Sequence, residues 1–328
     1  MSLAREPGML FVGGPQRSGT SAVVDYLNRH PEVLLCMERY KWVPPREVCP
    51  ELFTFERILD YRMSPRGEGR EETNTPREYH EKLLASKDAG RLKWIGDKNP
   101  NYVRKLDRLS ENNPGASFIL IYRPLEEVAE SFEARSRDTE DPWLLGGFED
   151  GVDYWNAAMR STRDFIEDAM NLNVLILDYR DFFSGDGTVI PLLSRFLDLE
   201  MYPDLLNTWE EMSRGFEAGR RPKKPLGDEQ RAYVDANRDG EAERWVLDRI
   251  ETQRREIDLY PPEVARSLNE ERRRSALKIS RLRARNIQLN RRNRNLAQKL
   301  HTAISPGDRP LLDGVDRIKQ KFLRPPEK

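Results

Sequence analysis

Between an apolar run "MLFV" and an amphipathic stretch, residues 13–21 read "GGPQRSGTS". A glycine-rich turn from strand to helix presents several backbone N–H groups to one anion, and the helix N-terminus adds partial positive charge. Arg17, Ser18, Thr20 and Ser21 surround Gly19 with a guanidinium and three hydroxyls. These residue types make a phosphate or sulfate cradle. Gly14 and Gly19 have the spacing of a nucleoside triphosphatase loop, in which a lysine reaches the β- and γ-phosphates and the next hydroxyl binds magnesium. Thr20 stands in the lysine's place, which weakens a kinase reading. The plain alternative, a tight turn without a ligand, is disfavoured by the strand before it and the helix after it.

A second anion site is suggested by "SFILIYRPLEEVAESFEAR", where Arg123 ends an apolar run, Pro124 opens a helical pattern and Ser131 follows within that helix. A guanidinium at a sheet edge with a hydroxyl on the adjoining helix suits a phosphate. A solvated arginine at an ordinary strand-turn-helix fits the same residues.

Such groups need a scaffold. Apolar runs at 9–14, 33–35, 93–96, 117–123 and 173–179 alternate with amphipathic stretches near 20–29, 76–89, 101–111, 124–137 and 150–170. That alternation predicts an α/β fold, a doubly wound parallel sheet of P-loop type with helices on both faces and its ligands at the C-terminal strand ends. Residues 44–76, rich in Pro, Gly and charge, read as an insertion or lid over the site rather than core.

With the scaffold in place, "PQRSGTSAVVDYLNRHPEV" resembles the 5′-phosphosulfate loop of sulfotransferases that use 3′-phosphoadenosine 5′-phosphosulfate (PAPS), and "IYRPLEEVAESF" resembles their 3′-phosphate motif. The likeness spans roughly residues 9–200 and is specific in these two blocks. It implies PAPS as co-substrate, no metal, and transfer of a sulfuryl group to an acceptor hydroxyl on a glycan, peptide or small metabolite. A sulfuryl group carries less charge than a terminal phosphoryl, so the missing lysine is then expected. By the same resemblance Arg17, Ser18, Gly19, Thr20 and Ser21 hold the phosphosulfate, and Arg123 and Ser131 hold the 3′-phosphate. Tyr179 resembles a family tyrosine near the nucleotide, and Arg135, beyond Ser131, is expected near it as well. Arg221, Lys223 and Lys224 form a basic loop that closes over the 3′-phosphate, attracts an anionic acceptor or is a solvated charge run. Glu38, just past the second strand, matches the glutamate base of one branch of the family. Lys98 in "GDKNP" matches the lysine that bridges the sulfuryl oxygens and the leaving phosphate, with Asn99 replacing the usual threonine. The competing readings are ion pairs, Glu38 with Arg39 or Lys41 and Lys98 with Asp97. His30 is assigned to a helix turn, and Trp42 and Trp143 to loop packing.

The end of the chain differs in kind. Residues 263–303 hold twelve Lys or Arg against three Glu, an excess of nine positive charges in a chain of net charge −1. Leu268, Leu282, Leu289 and Leu296 share one heptad position, with Ser275 in the gap. Ala265, Arg272, Ile279, Asn286, Asn293 and Leu300 share the other. This is a coiled-coil pattern, and Asn at such positions favours a parallel pair in fixed register. We expect a sulfotransferase domain over 1–262, a basic dimerising helix over 263–303 and a tail over 304–328. The arginines are interleaved with the heptads rather than preceding them, which argues against nucleic acid. Cys36 and Cys49 make no disulfide framework, and no apolar stretch is long enough for a membrane span, so a cytoplasmic homodimer is expected. The rival readings are a P-loop kinase and a non-catalytic coiled-coil scaffold.

Overall fold

A computed structural model describes residues 6–65, 69–137, 146–169, 173–183, 189–200, 203–218 and 225–259, with scattered positions between 271 and 296. The five apolar runs form strands β1 (Gly8–Gly13), β2 (Val33–Met37), β3 (Trp94–Lys98), β4 (Ser117–Tyr122) and β5 (Val174–Asp178). All pair in parallel, in the order β2-β3-β1-β4-β5. The helices are α1 (Thr20–Leu27), α2 (Phe55–Leu59), α3 (Arg77–Ala85), α4 (Leu106–Asn112), α5 (Leu125–Ser136) and α6 (Phe148–Ala169). After them come α7 (Tyr179–Phe183), α8 (Val189–Leu197), α9 (Pro203–Ala218), α10 (Asp228–Asn237) and α11 (Gly240–Leu259).

Side chains alternate across each strand, and both faces are apolar because both are covered. Leu10, Val12, Ile119, Ile121, Leu175 and Leu177 join one core with Val24 of α1, Phe182 of α7, Leu193 of α8 and Trp209 of α9. Phe11, Phe118, Leu120, Val174 and Ile176 face the other, closed by Leu109 of α4, Phe132 of α5, Trp155 of α6 and Val246 of α11. Each buried aliphatic or aromatic side chain contributes about 1.5–3 kcal/mol. The expected helices on both faces are therefore present.

The insertion corrects one expectation. Residues 44–76 were read as lying outside the core, yet Val48, Phe53 and Ile58 are buried in the second of those clusters. Two 3₁₀ turns, Pro45–Glu47 and Pro50–Phe53, lead into α2, and a single bridge pairs Met63 with Glu71. The abundant Pro and charge in this segment hide a few apolar anchors.

The chain divides into two compact units, Met1–Ser280 and Arg281–Lys328. Most of 263–303, and the expected boundary at 262, lie outside the described residues. Leu282, Leu289 and Leu296 are helical where described and expose 57%, 48% and 50% of their surface. Among the described residues no helix is long and apolar enough to cross a membrane.

Close approach of strands constrains one glycine. A Cβ on Gly96 in β3 would overlap the carbonyl oxygen of Leu10 in β1, so Gly96→Ala must push the two central strands apart. Chemical denaturation of that variant is expected to show a loss of about 3 kcal/mol, at the upper end for overpacking.

Candidate functional site

The sheet order brings every strand's C-terminal end to one edge, with the loop after β1 in the middle. There the backbone is strained to shape. Gly14 and Gly19 have φ of +152° and +88°, and Arg17, without a glycine's freedom, has φ of +70°. Non-glycine residues in the left-handed region cost on the order of 1–3 kcal/mol and mark sites where the surroundings over-determine the backbone. Gly19 also packs under an aromatic ring, since a Cβ there would sit 2.8 Å from Tyr179. Thr20 starts α1, and the loop's N–H groups precede it. Ser18 is completely buried, and its Oγ finds no hydrogen-bond partner among the described residues. A buried, unsatisfied hydroxyl costs roughly 1–3 kcal/mol, and an anion held in the loop would satisfy it. Ser21 is exposed at the helix start.

The second motif closes against this loop. Arg17 Nε donates to Ser131 Oγ at 3.1 Å, across 114 residues of sequence, and Arg123 Nη1 donates to the Arg17 carbonyl at 2.6 Å. The Arg123 guanidinium lies 4.1 Å from the centre of the Tyr179 ring and is 6% exposed. Its Nε also pairs with Glu127 at 3.0 Å, and Trp155 Nε1 donates to its carbonyl at 2.8 Å, fixing where β4 ends. Arg17, Arg123, Ser131 and Tyr179 thus share one place. Arg135 is partly buried near the end of α5, four residues beyond Ser131 on the same helix. Arg221, Lys223 and Lys224 lie outside the described residues, as does Trp143.

On the other side of the loop, Lys98 Nζ meets Glu38 Oε1 at 2.9 Å, and Lys41 Nζ meets Glu38 Oε2 at 2.8 Å. The Lys98 side chain is only 3% exposed. Burial alone would raise the Glu38 carboxyl, but the Lys98 and Lys41 ammonium groups outweigh it and hold Glu38 below the usual carboxylate range. Of the competing pairs foreseen in the sequence, Lys41 is the one present. Arg39 turns instead to Glu72 at 3.1 Å, fully buried between the Tyr40 and Tyr61 rings, and donates to the carbonyls of Ile58 and Asp60. Asp97 is not paired with Lys98 by a direct contact; its carboxylate accepts from the backbone of Arg39 and Tyr40 and from the Tyr102 hydroxyl. His30 accepts from the Glu32 amide through Nδ1, which stabilises the turn after α1. Trp42 is half-buried, with Lys41 and Arg70 over its ring at 5.6 and 5.1 Å.

Cradle, paired arginine and serine, and buried acid-base pair are all in place along one edge. A model of the sulfotransferase family matches residues 7–204. The chain belongs to the sulfotransferase family. Among solved structures it is similar to the sulfotransferase domain from the curacin biosynthetic pathway, with 16% identity over 71% of this chain and 98% of that one and a TM-score of 0.42. It is also similar to a sulfotransferase from Alicyclobacillus acidocaldarius, with 18% identity, coverage of 67% and 100%, and a TM-score of 0.39. A mouse sulfotransferase complexed with PAP is a third, with 15% identity, coverage of 67% and 69%, and a TM-score of 0.36. No curated protein matches the chain.

Sequence reasoning missed the groups that hold the end of β2 in this sulfotransferase. His80 is buried, accepts from the Met37 amide at 3.2 Å through Nε2 and shares a 2.6 Å hydrogen bond with the Tyr61 hydroxyl through Nδ1. Burial pushes it down to about 4, helped by the Arg39 charge. Burial also pushes Asp97 up to about 7. The two act in opposite senses. His80 contributes stability that is present above pH 6.5 and is lost as pH falls toward 4, because the unfolded chain takes up the proton first. Asp97 contributes stability that is present below the ordinary carboxylate value and is lost as pH rises through about 7. Urea denaturation at pH 8 and pH 5 should separate them. His80→Gln is expected to lose about 2 kcal/mol less than the parent on acidification, and Asp97→Asn to lose more than the parent.

Proposed function

We propose that the protein moves a sulfuryl group from PAPS to an acceptor hydroxyl and releases adenosine 3′,5′-bisphosphate. The observation that carries this reading is the bond from Arg17 to Ser131. It joins the anion loop to the second motif on a single sheet edge, which supports reading the two as one nucleotide site. Arg17, Ser18, Gly19, Thr20 and Ser21 would hold the 5′-phosphosulfate through backbone N–H groups and hydroxyls. Arg123 and Ser131 would hold the 3′-phosphate, with Tyr179 and Arg135 beside the nucleotide and Arg221 and Lys223 over it.

Glu38 acts as the base. In the structure it is spent on two lysines, which makes it a weak one. Anionic donor oxygens would draw Lys98 Nζ toward the bond being broken, leaving Glu38 Oε1 for the acceptor proton. The acceptor oxygen then forms its bond to sulfur as its proton passes to Glu38. The bond from sulfur to the bridging oxygen breaks, and its electron pair stays on the departing 5′-phosphate beside Lys98 and Arg17. In-line positioning and charge stabilisation are the whole of this chemistry, and no step in it requires a metal ion.

Calorimetric titration tests the donor assignment. Adenosine 3′,5′-bisphosphate should bind without magnesium, more tightly than ATP with magnesium, and Arg123→Ala should weaken it at least about tenfold, as loss of a charge-assisted pair predicts. Preference for ATP and magnesium would favour a kinase instead.

The basic segment over 263–303 we read as the arm of a homodimer. Among the described residues Leu282, Leu289 and Leu296 are about half exposed, with Asn286 and Asn293 exposed on the companion position, and a second copy would cover those leucines. Sedimentation of the full chain should give a dimer, and substituting Glu at those three leucines should give a monomer that keeps nucleotide affinity. The acceptor is a hydroxyl compound, carbohydrate among the candidates, and two free thiols, Cys36 and Cys49, fit a cytoplasmic setting.

A further inference from the structure

Glu38 sits at φ +50°, in the left-handed region that a residue with a Cβ avoids. Its own side chain cannot hold it there. The backbone around it is clamped from three directions. The Glu38 amide donates to the Lys98 carbonyl at 2.8 Å, and its carbonyl accepts from Thr73 Oγ1 at 2.6 Å. The next two amides, Arg39 and Tyr40, donate to the two oxygens of Asp97 at 3.1 and 3.4 Å. Tyr102 Oη adds a third donor to that carboxylate at 2.8 Å.

Asp97 is completely buried, on the strand that also carries Lys98. A carboxylate is retained in such a place only where its hydrogen bonds are made good. Three donors converge on it, two of them the Arg39 and Tyr40 backbone amides; ionised, its two oxygens accept from all three, and protonated at Oδ2 it still accepts from both amides while donating to Tyr102 Oη. A neutral amide of the same shape would set an N–H₂ group against one of the donors.

The geometry points to Asp97 as the positioning residue for Glu38: its carboxylate anchors the turn after β2 and so keeps the Glu38 carboxylate between Lys98 and Lys41. Asp97 itself touches no reacting atom. Its consequence for transfer rests on Glu38 being the base, whereas the positioning does not, and the two can fail separately. The charged and titratable groups around Asp97 are Cys36 opposite it in β2, Arg39 and Tyr40 in the turn, Tyr79 of α3, Tyr102 after β3, and Lys98 beside it. Burial, and then Asp97 itself, push the Cys36 thiol up, so it stays neutral. Arg39 is committed to Glu72. The groups free to respond to pH near neutrality therefore reduce to Asp97, whose carboxyl burial raises to about 7.

Carboxyl-carbon NMR of glutamate-labelled protein tests this without an acceptor, with the Glu38 signal assigned from its absence in Glu38→Gln. In Asp97→Asn the turn relaxes, Glu38 leaves its two lysines, and its titration midpoint is expected to rise by about half a pH unit or more. Loss of the Asp97 charge alone leaves that midpoint where it is, since Asp97 is already neutral in the range where Glu38 titrates. A folded Asp97→Asn protein whose Glu38 midpoint is unchanged or lower overturns the proposal. Affinity for adenosine 3′,5′-bisphosphate should be unchanged in the same variant, and its loss would mean that Asp97 serves the donor cradle instead. Should the variant not fold, the parent decides the matter. The Glu38 carboxyl signal and the Arg39 and Tyr40 amides should shift together with the Asp97 carboxyl as it titrates, and a Glu38 signal that does not follow Asp97 overturns the proposal. If positioning holds but Glu38→Gln still transfers sulfuryl groups at the parental rate, the base assignment fails and the role of Asp97 in the turn stands.

Discussion

The contact between Glu38 and Lys98 is the interaction on which the rest of the site depends. It exists because β2 and β3 pair in parallel register, with Met37 opposite Lys98, so that one strand's last residue and the next strand's overhang meet at the same height. A largely buried ion pair is stable only with good geometry and further partners for its remaining atoms. Here the second Glu38 oxygen meets Lys41, while Lys98 is sealed by the sheet edge. The pair therefore keeps an ionised carboxylate beside a buried cation, and under the proposed function an anion that offers Lys98 a better partner would open it.

The central strand β1 lies between β3 and β4, so its loop has Lys98 on one flank and Arg123 on the other. The strain at Arg17 and the orphaned Ser18 hydroxyl are unfavourable in the free protein. An anion in the proposed cradle would offset them through bonds to the loop's N–H groups and hydroxyls. Because Arg123 donates to the Arg17 carbonyl, the second motif holds the loop's shape as well as offering its own charge.

How much of this was legible in the sequence follows from the reach of each signal. The strands were legible because parallel strands covered on both faces read as continuous apolar runs, and "MLFVGG" and "SFILIYR" do so. The glycine loop and the Arg123 to Ser131 spacing were legible because both signals are local. Asp97, Arg39 and His80 were not, since a buried, fully bonded polar side chain has the same letter as a solvated one. The partners that distinguish them lie far away in sequence, Glu72 for Arg39 and Met37 for His80. The insertion was misread for a related reason. A few buried apolar residues among many prolines and charges carry little weight in a composition, yet Val48, Phe53 and Ile58 decide where the segment goes.

That misreading has a mechanistic side. The insertion does more than fill the core beside β2. Thr73 holds the Glu38 carbonyl, Thr75 Oγ1 donates to the Met37 carbonyl at 2.6 Å, and Glu72 takes the Arg39 guanidinium together with Arg57. The end of β2 is thus gripped from the insertion on one side and from Asp97 on the other, with His80 bonded to the Met37 amide. A change in the insertion must then also move Glu38 relative to Lys98, so the course of this segment and the geometry of the ion pair are coupled through these few hydrogen bonds rather than set independently.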